Sequence, residues 1–259
     1  MTMLSRNLYT VPVLLRGLII ALALSSVYPS WAAISLGQTR LIISAKDKES
    51  TLNVSNEGAQ PVLLQMWIDL GDNSISPEKI AVPFVITPPI VRLDGKKTQR
   101  LRVMFTGSDA DVPADKESVY WLNVLEIPPK PAGIVPANEV QLAFITRIKI
   151  FYRPQKVNAM GISHVEEKLH FSLINQGGKM LRIENPTPIN QTLISISIGH
   201  DIKKTIFSFH PEESMIPPYS TKDYPLSKIK GSVDKTMTVF ISTIGDYGEI
   251  INSEKSLDD

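Results

Sequence analysis

Short runs rich in valine, isoleucine, leucine, threonine and phenylalanine recur along most of this chain, and proline, glycine, asparagine and aspartate separate them. Helical periodicity is almost absent. The runs include Thr39–Ser44, Ser50–Asn56, Val62–Asp69, Phe84–Thr87, Gln99–Phe105 and Tyr120–Glu126. A second series covers Leu169–Ile174, Met180–Glu184, Gln191–Gly199, Ile206–Phe209 and Thr236–Thr243. Strands of this length with turn residues between them predict an all-β sandwich rather than a parallel or helical fold. Asn175-Gln176-Gly177-Gly178 is a hairpin signal within the second series. The longest candidate is Glu139–Tyr152, which stops at Arg153-Pro154, where proline offers no N–H to a ladder. That stop is also the expected domain boundary. The polar end, Ser253–Asp259, is expected to fray.

The N-terminus predicts the compartment. Arg6 and Arg16 precede the apolar run Gly17–Leu24, and Ser30-Trp31-Ala32 supplies small residues around a cleavage point. This is the pattern of a secretory signal peptide cut after Ala32 or Ala33. The run is shorter than the roughly 20 residues that a membrane span needs, so no membrane insertion is expected once the leader is removed. The remaining chain is long enough for two domains of roughly 100 residues each. The chain holds no cysteine, so an exported protein of this kind must rely on its cores rather than on disulfides. Of its 27 basic residues, Arg6 and Arg16 leave with the leader, and the rest nearly balance 26 acidic ones. A nucleic-acid binder would need a marked basic excess.

Residues arranged for catalysis or metal binding are scarce in the sequence. His164, His170, His200 and His210 lack the spacing of a zinc site. No P-loop, G-x-S-x-G or G-x-G-x-x-G fingerprint occurs. No enzyme, metal or cofactor is expected.

Five segments are more specific: Thr39–Ile43, Thr87-Pro88-Pro89, Asn123–Pro129, Val140–Pro154 and Arg182–Pro188. Together and in this order they resemble the PapD-type periplasmic pilus chaperones, over about Ala33 to Tyr247. The resemblance implies two immunoglobulin-like sandwiches set as an L or boomerang, with a cleft between them. It also implies the function: capping pilus subunits by lending them a strand, and delivering them to an outer-membrane usher. The expected units are the signal peptide at 1–32, a subunit-binding domain at 33–154 and a second sandwich at 155–259. The proline-containing stretch between Ile127 and Val140 is short, as in the branch of the family that serves rod-like pili. Thr87-Pro88 is implied to be cis. The family's second domain often carries a disulfide, which this chain lacks.

Val140, Leu142 and Phe144 alternate with Gln141 and Ala143 and so share one face. On pattern alone that face could belong to the domain's own core; by resemblance it is the donor face that enters a subunit groove. Arg40 and Lys149 match the pair that anchors a subunit's C-terminal carboxylate, a small anion that two converging cations can satisfy. Strict alternation sets Lys149 on the face opposite Phe144, which a bulge, a strong twist or a passage from open edge into cleft would reconcile. Arg147, on the same face as Lys149, is the nearest decoy. Glu117, Arg153 and Asp246 match a charge cluster linking the two domains, where one arginine can serve two carboxylates. The rival expectation is an exported two-domain immunoglobulin-like adhesion or ligand-binding module, which would not need Arg40 and Lys149 to converge.

Overall fold

The structure is a computed structural model that describes residues 34–130, 142–161, 164–175, 178–226, 233 and 236–257. The leader and Val140 therefore lie outside the described residues. Among the described residues the first domain contains nine strands: β1 (Ile34–Leu36), β2 (Arg40–Ser44), β3 (Glu49–Asn56), β4 (Val62–Asp69), β5 (Phe84–Thr87), β6 (Ile90–Leu93), β7 (Thr98–Phe105), β8 (Ser118–Ile127) and β9 (Phe144–Arg153). One sheet runs in the order β1-β3-β7-β5 and the other β2-β9-β8-β4-β6. Alternate residues of both sheets, among them Leu52, Val54, Leu101, Leu122, Val124 and Ile150, are buried between them. At one end, Phe84, Phe105, Tyr120 and Tyr152 pack ring against ring, with Phe105 and Tyr152 stacked at 4.2 Å. Such aromatic contacts add to the burial that stabilises a sandwich without disulfides.

A short helix, α1 (Gln155–Ala159), follows Pro154 and leads to the second domain. Its strands are β10 (His170–Asn175), β11 (Lys179–Asn185), β12 (Gln191–Gly199), β13 (Thr205–Phe209), β14 (Met215–Ile216), β15 (Ser220–Pro225), β16 (Thr238–Ile244) and β17 (Ile250–Ser256). They form a β10-β11-β15 sheet and a β13-β12-β16-β17 sheet, with β14 beside β12. A separate core of Phe171, Leu181, Ile183, Leu193, Ile196, Val239 and Ile241 lies between the sheets. The hairpin signal holds, since β10 and β11 pair antiparallel from His170↔Glu184 to Asn175↔Lys179. The expected fraying of the C-terminal segment does not. Residues Ile250–Ser256 pair in unbroken register with β16, and Leu257 is buried in the second core. The alternation of Ile251, Ser253 and Lys255 with Asn252, Glu254 and Ser256 hid a strand whose energy comes mainly from its ladder. Among the described residues no helix is long and apolar enough to cross a membrane.

The feature that matters most for the site is the partial pairing of β9. It pairs with β8 along its whole length, from Ser118↔Tyr152 to Glu126↔Phe144. On its other side, β2 runs parallel to it but covers only Lys149–Arg153, starting at Arg40↔Lys149. From Phe144 to Ile148 that edge has no strand partner among the described residues. The expected strand over 139–152 is thus shorter at its described start and reaches Arg153.

Candidate functional site

Apart from Thr146 and Arg147, the unpaired half of β9 is apolar, where an edge strand normally carries charge or proline. Leu142 is 63% exposed and Phe144 62% exposed, with Ile145 beside them. Phe144 has the parity of Ile148, Ile150 and Tyr152, which fill the first core. The core-facing row of side chains therefore runs past the end of the sandwich and into solvent. Leu142 precedes the strand, and the third expected donor, Val140, lies outside the described residues. The β8–β9 register is continuous, so no bulge is needed to account for the opposite orientation of Lys149. One straight strand presents its core-facing row at the open edge and its other row toward the cleft.

Where the open edge ends, two cations stand side by side. Arg40 opens β2 and Lys149 lies directly opposite it on β9. Arg40 is 9% exposed, and its Nη1 donates to the Ile244 carbonyl of the second domain at 3.2 Å. Its Nε is buried without a hydrogen-bond partner, the kind of unmet donor that a folded protein seldom leaves unused. Burial lowers the pKa of the Arg40 guanidinium, against an upward pull from Asp246, Glu117 and Glu249. Burial also lowers the pKa of Lys149, and the neighbouring charge of Arg40 lowers it further. Both cations would therefore gain from an arriving anion. The Arg40 guanidinium lies 5.4 Å from the Phe151 ring centre.

Arg147 is not equivalent to them. Its Nη2 donates to both oxygens of Asp69, at 2.9 and 3.1 Å. Asp69 also accepts from Asn123 Nδ2 at 2.7 Å and from the Gly71 amide at 2.6 Å. The charge of Arg147 is thus answered within the first domain.

The three residues of the expected charge cluster do meet. Arg153 Nε donates to Glu117 Oε1 at 2.8 Å. Its two terminal nitrogens each donate to one oxygen of Asp246 at 2.6 Å. Glu117 is only 4% exposed, and its other oxygen accepts from the Asn190 amide at 2.9 Å and from Asn190 Nδ2 at 2.8 Å. Burial raises the pKa of the Glu117 carboxyl despite the opposing charge of Arg153. Burial also acts to lower that of Arg153, but its hydrogen bonds to Asp246 and the charges of both carboxylates outweigh it and hold the net shift upward. These groups and Arg40 line a cavity of about 280 Å³ between the domains, with Phe151, Ile189 and Tyr247 among its walls. Lys149 is not part of its wall. At the rim, His164 lies 3.7 Å from Glu166 and 3.9 Å from Glu167.

Sequence reasoning gave no role to Asn185, which the structure places at the base of this contact. It is fully buried, and its Nδ2 donates to the carbonyls of Ile189 at 2.8 Å, Ile216 at 3.2 Å and Pro217 at 3.0 Å. Its Oδ1 accepts from the Thr187 amide at 3.0 Å and hydroxyl at 2.7 Å. An asparagine with its donors and acceptor so used replaces a ladder where the two prolines deny one. The turn it holds presents the Pro188 carbonyl to the Glu117 amide at 2.8 Å. Asn185→Ala should lower stability by about 2 kcal/mol, because buried carbonyls lose their donor. A urea midpoint equal to that of the parent would contradict this.

Comparison with known proteins follows the same outline. Residues 33–158 match the family described as pili and flagellar-assembly chaperone, PapD N-terminal domain. Residues 164–255 match the pili assembly chaperone PapD, C-terminal domain. The chain is 36% identical over 230 residues to the probable fimbrial chaperone YadV of Escherichia coli K12, covering 88% of this chain and 91% of that protein. It is 30% identical to the chaperone protein FimC of the same strain, over 92% of this chain and 89% of FimC. Among solved structures, the YadV chaperone superposes with a TM-score of 0.69 at 31% identity, covering 87% of this chain and all of that one. The SafB chaperone, solved in complex with the Salmonella enterica SafA pilin, gives 0.67 at 27% identity, over 89% of this chain and 99% of the matched chain.

Proposed function

This chain belongs to the PapD family of pilus-assembly chaperones, and we propose that it caps pilus subunits by donor-strand complementation on β9. It is a chaperone and not an enzyme. The observation that carries the mechanism is the half-paired β9, with an apolar open edge that ends at a pair of cations.

A subunit segment lying along Phe144–Ile148, with its C-terminal carboxylate at Arg40 and Lys149, must run toward Lys149. It therefore runs parallel to β9, in the same direction as β2 and immediately before it. Main-chain bonds to the edge set its register. Leu142 and Phe144, with Val140 preceding them, fill the subunit's groove, each contributing roughly 1.5–3 kcal/mol of transfer free energy. The carboxylate meets the open donors of the two cations. Glu117, Arg153 and Asp246 fix how the second domain stands against the first and thereby hold Arg40, a first-domain residue that donates to the Ile244 carbonyl of the second. The working units are residues 33–154 and 155–259, after removal of a signal peptide by a cut behind Ala32 or Ala33. The site of action is the periplasm, and an outer-membrane usher receives the loaded complex. The short stretch before Val140 matches chaperones of rod-like pili.

The test is Lys149→Ala, with subunit recovery from the periplasm as readout. Removing a partly buried cation from a charged pair should weaken capture by about 2 kcal/mol, roughly thirtyfold, while thermal melting of the free protein stays close to that of the parent. Undiminished recovery would overturn the anchor.

A further inference from the structure

Two cations of the same row of β9, Arg147 and Lys149, share one aromatic ring. Trp121 lies opposite Lys149 on β8, and the Lys149 Nζ stands 4.9 Å from its ring centre. The Arg147 guanidinium stands 4.9 Å from the same ring. The ring itself is confined. Gly71, at φ +109°, turns against it so closely that a Cβ there would come within 3.1 Å of the indole Nε1. Asp69, which fixes Arg147, also fixes that turn through the Gly71 amide.

The two cations differ in what else they touch. Arg147 has its carboxylate. Among the described residues none comes within ion-pair distance of Lys149, and Arg40 beside it adds repulsion. An ammonium in that position needs an attraction that leaves its hydrogens unspent. The face of an indole provides one, because it draws the charge electrostatically without accepting its N–H bonds as an oxygen would.

We propose that Trp121 is the positioning residue of the anchor: it holds the Lys149 ammonium toward the cleft with its donors free, and so sets the strength with which a terminal carboxylate is captured. This rests on the reading of Arg40 and Lys149 as the carboxylate anchor. The experiment separates the two. An N-acetylated octapeptide of alternating threonine and valine is titrated as its free acid and as its C-terminal amide. The parent should prefer the acid. Trp121→Leu should reduce that preference about threefold to thirtyfold while leaving amide binding unchanged. Trp121→Phe, which keeps a weaker ring, should fall between them. In a Lys149→Met background the Trp121 substitutions should have no further effect on the ratio.

A parent that binds acid and amide alike overturns the anchor reading itself, and this inference with it. An anchor that works in the parent and keeps its full acid preference in Trp121→Leu overturns the role of Trp121 alone. So does an equal loss for both peptides, which marks the tryptophan as mere packing. If Trp121→Leu does not fold, Trp121→Phe decides, and a ratio identical to the parent's is the overturning result.

Discussion

Leu142→Glu should melt within about 2 °C of the parent and yet capture no subunit. The side chain is largely exposed in the free protein, so the substitution disturbs no packing, and exposed positions of that kind usually shift stability by less than about 0.5 kcal/mol. In the complex the same side chain would enter an apolar groove, where an unpaired carboxylate costs ~4 kcal/mol or more, at least about a thousandfold in affinity. Ile150→Glu on the same strand is the contrasting control. Ile150 is fully buried, and a charge there should prevent folding. Melting curves beside a pull-down from periplasmic extract measure both quantities. If Leu142→Glu instead melts far below the parent, the residue belongs to a core and the donor assignment is wrong.

Arg153→Ala should be the most damaging change at the domain contact, costing about 3–5 kcal/mol and lowering the melting temperature by about 10 °C. The reason is what it leaves behind. Glu117 stays buried and keeps only the two donors of Asn190. Asp246→Ala should be far milder, at about 1 kcal/mol or less, because the Asp246 side chain is 45% exposed and water replaces much of what it gave. The Glu117→Gln, Arg153→Ala double variant should recover part of the loss, since the buried charge is gone. Small-angle scattering should show a broader interdomain distribution for Arg153→Ala. Equal melting temperatures for Arg153→Ala and Asp246→Ala would show that burial of Glu117 does not govern the contact.

The all-β class was readable because the strands in the two cores carry their own signal. The runs Val62–Asp69, Phe84–Thr87 and Gln191–Gly199 have the same limits in sequence and structure. The strands that escaped notice lack that signal. Ile90–Leu93 stands right behind Pro88-Pro89, while Ser220–Pro225 and Ile250–Ser256 are mostly polar. The first two are held by pairing with β4 and β11, which lie well back in the chain and which no local pattern reports, and the third by the hairpin it closes on β16. The same limit applies to the site. The basic pair and the three charges could be named, and the structure brings each set together. That β2 begins only at Arg40, leaving half of β9 open, depends on the register between segments more than a hundred residues apart. The capture of Arg147 by Asp69 and the ring shared by Arg147 and Lys149 are likewise products of register. They decide which cation on that face is left without a carboxylate.

The point at which β2 begins also makes the open edge a ruler. A strand rises about 3.3 Å per residue, so Phe144 stands roughly 17 Å from Lys149 and Leu142 roughly 23 Å. A partner gripped by its last carboxylate must present its groove at those distances, counted back from its own end. Because side chains alternate, one extra residue at that end does more than shift the partner by a single step. It inverts every contact along the edge, setting polar side chains where apolar ones belong. Chain length at the terminus thus becomes a criterion of selection that no single side chain of the chaperone has to enforce.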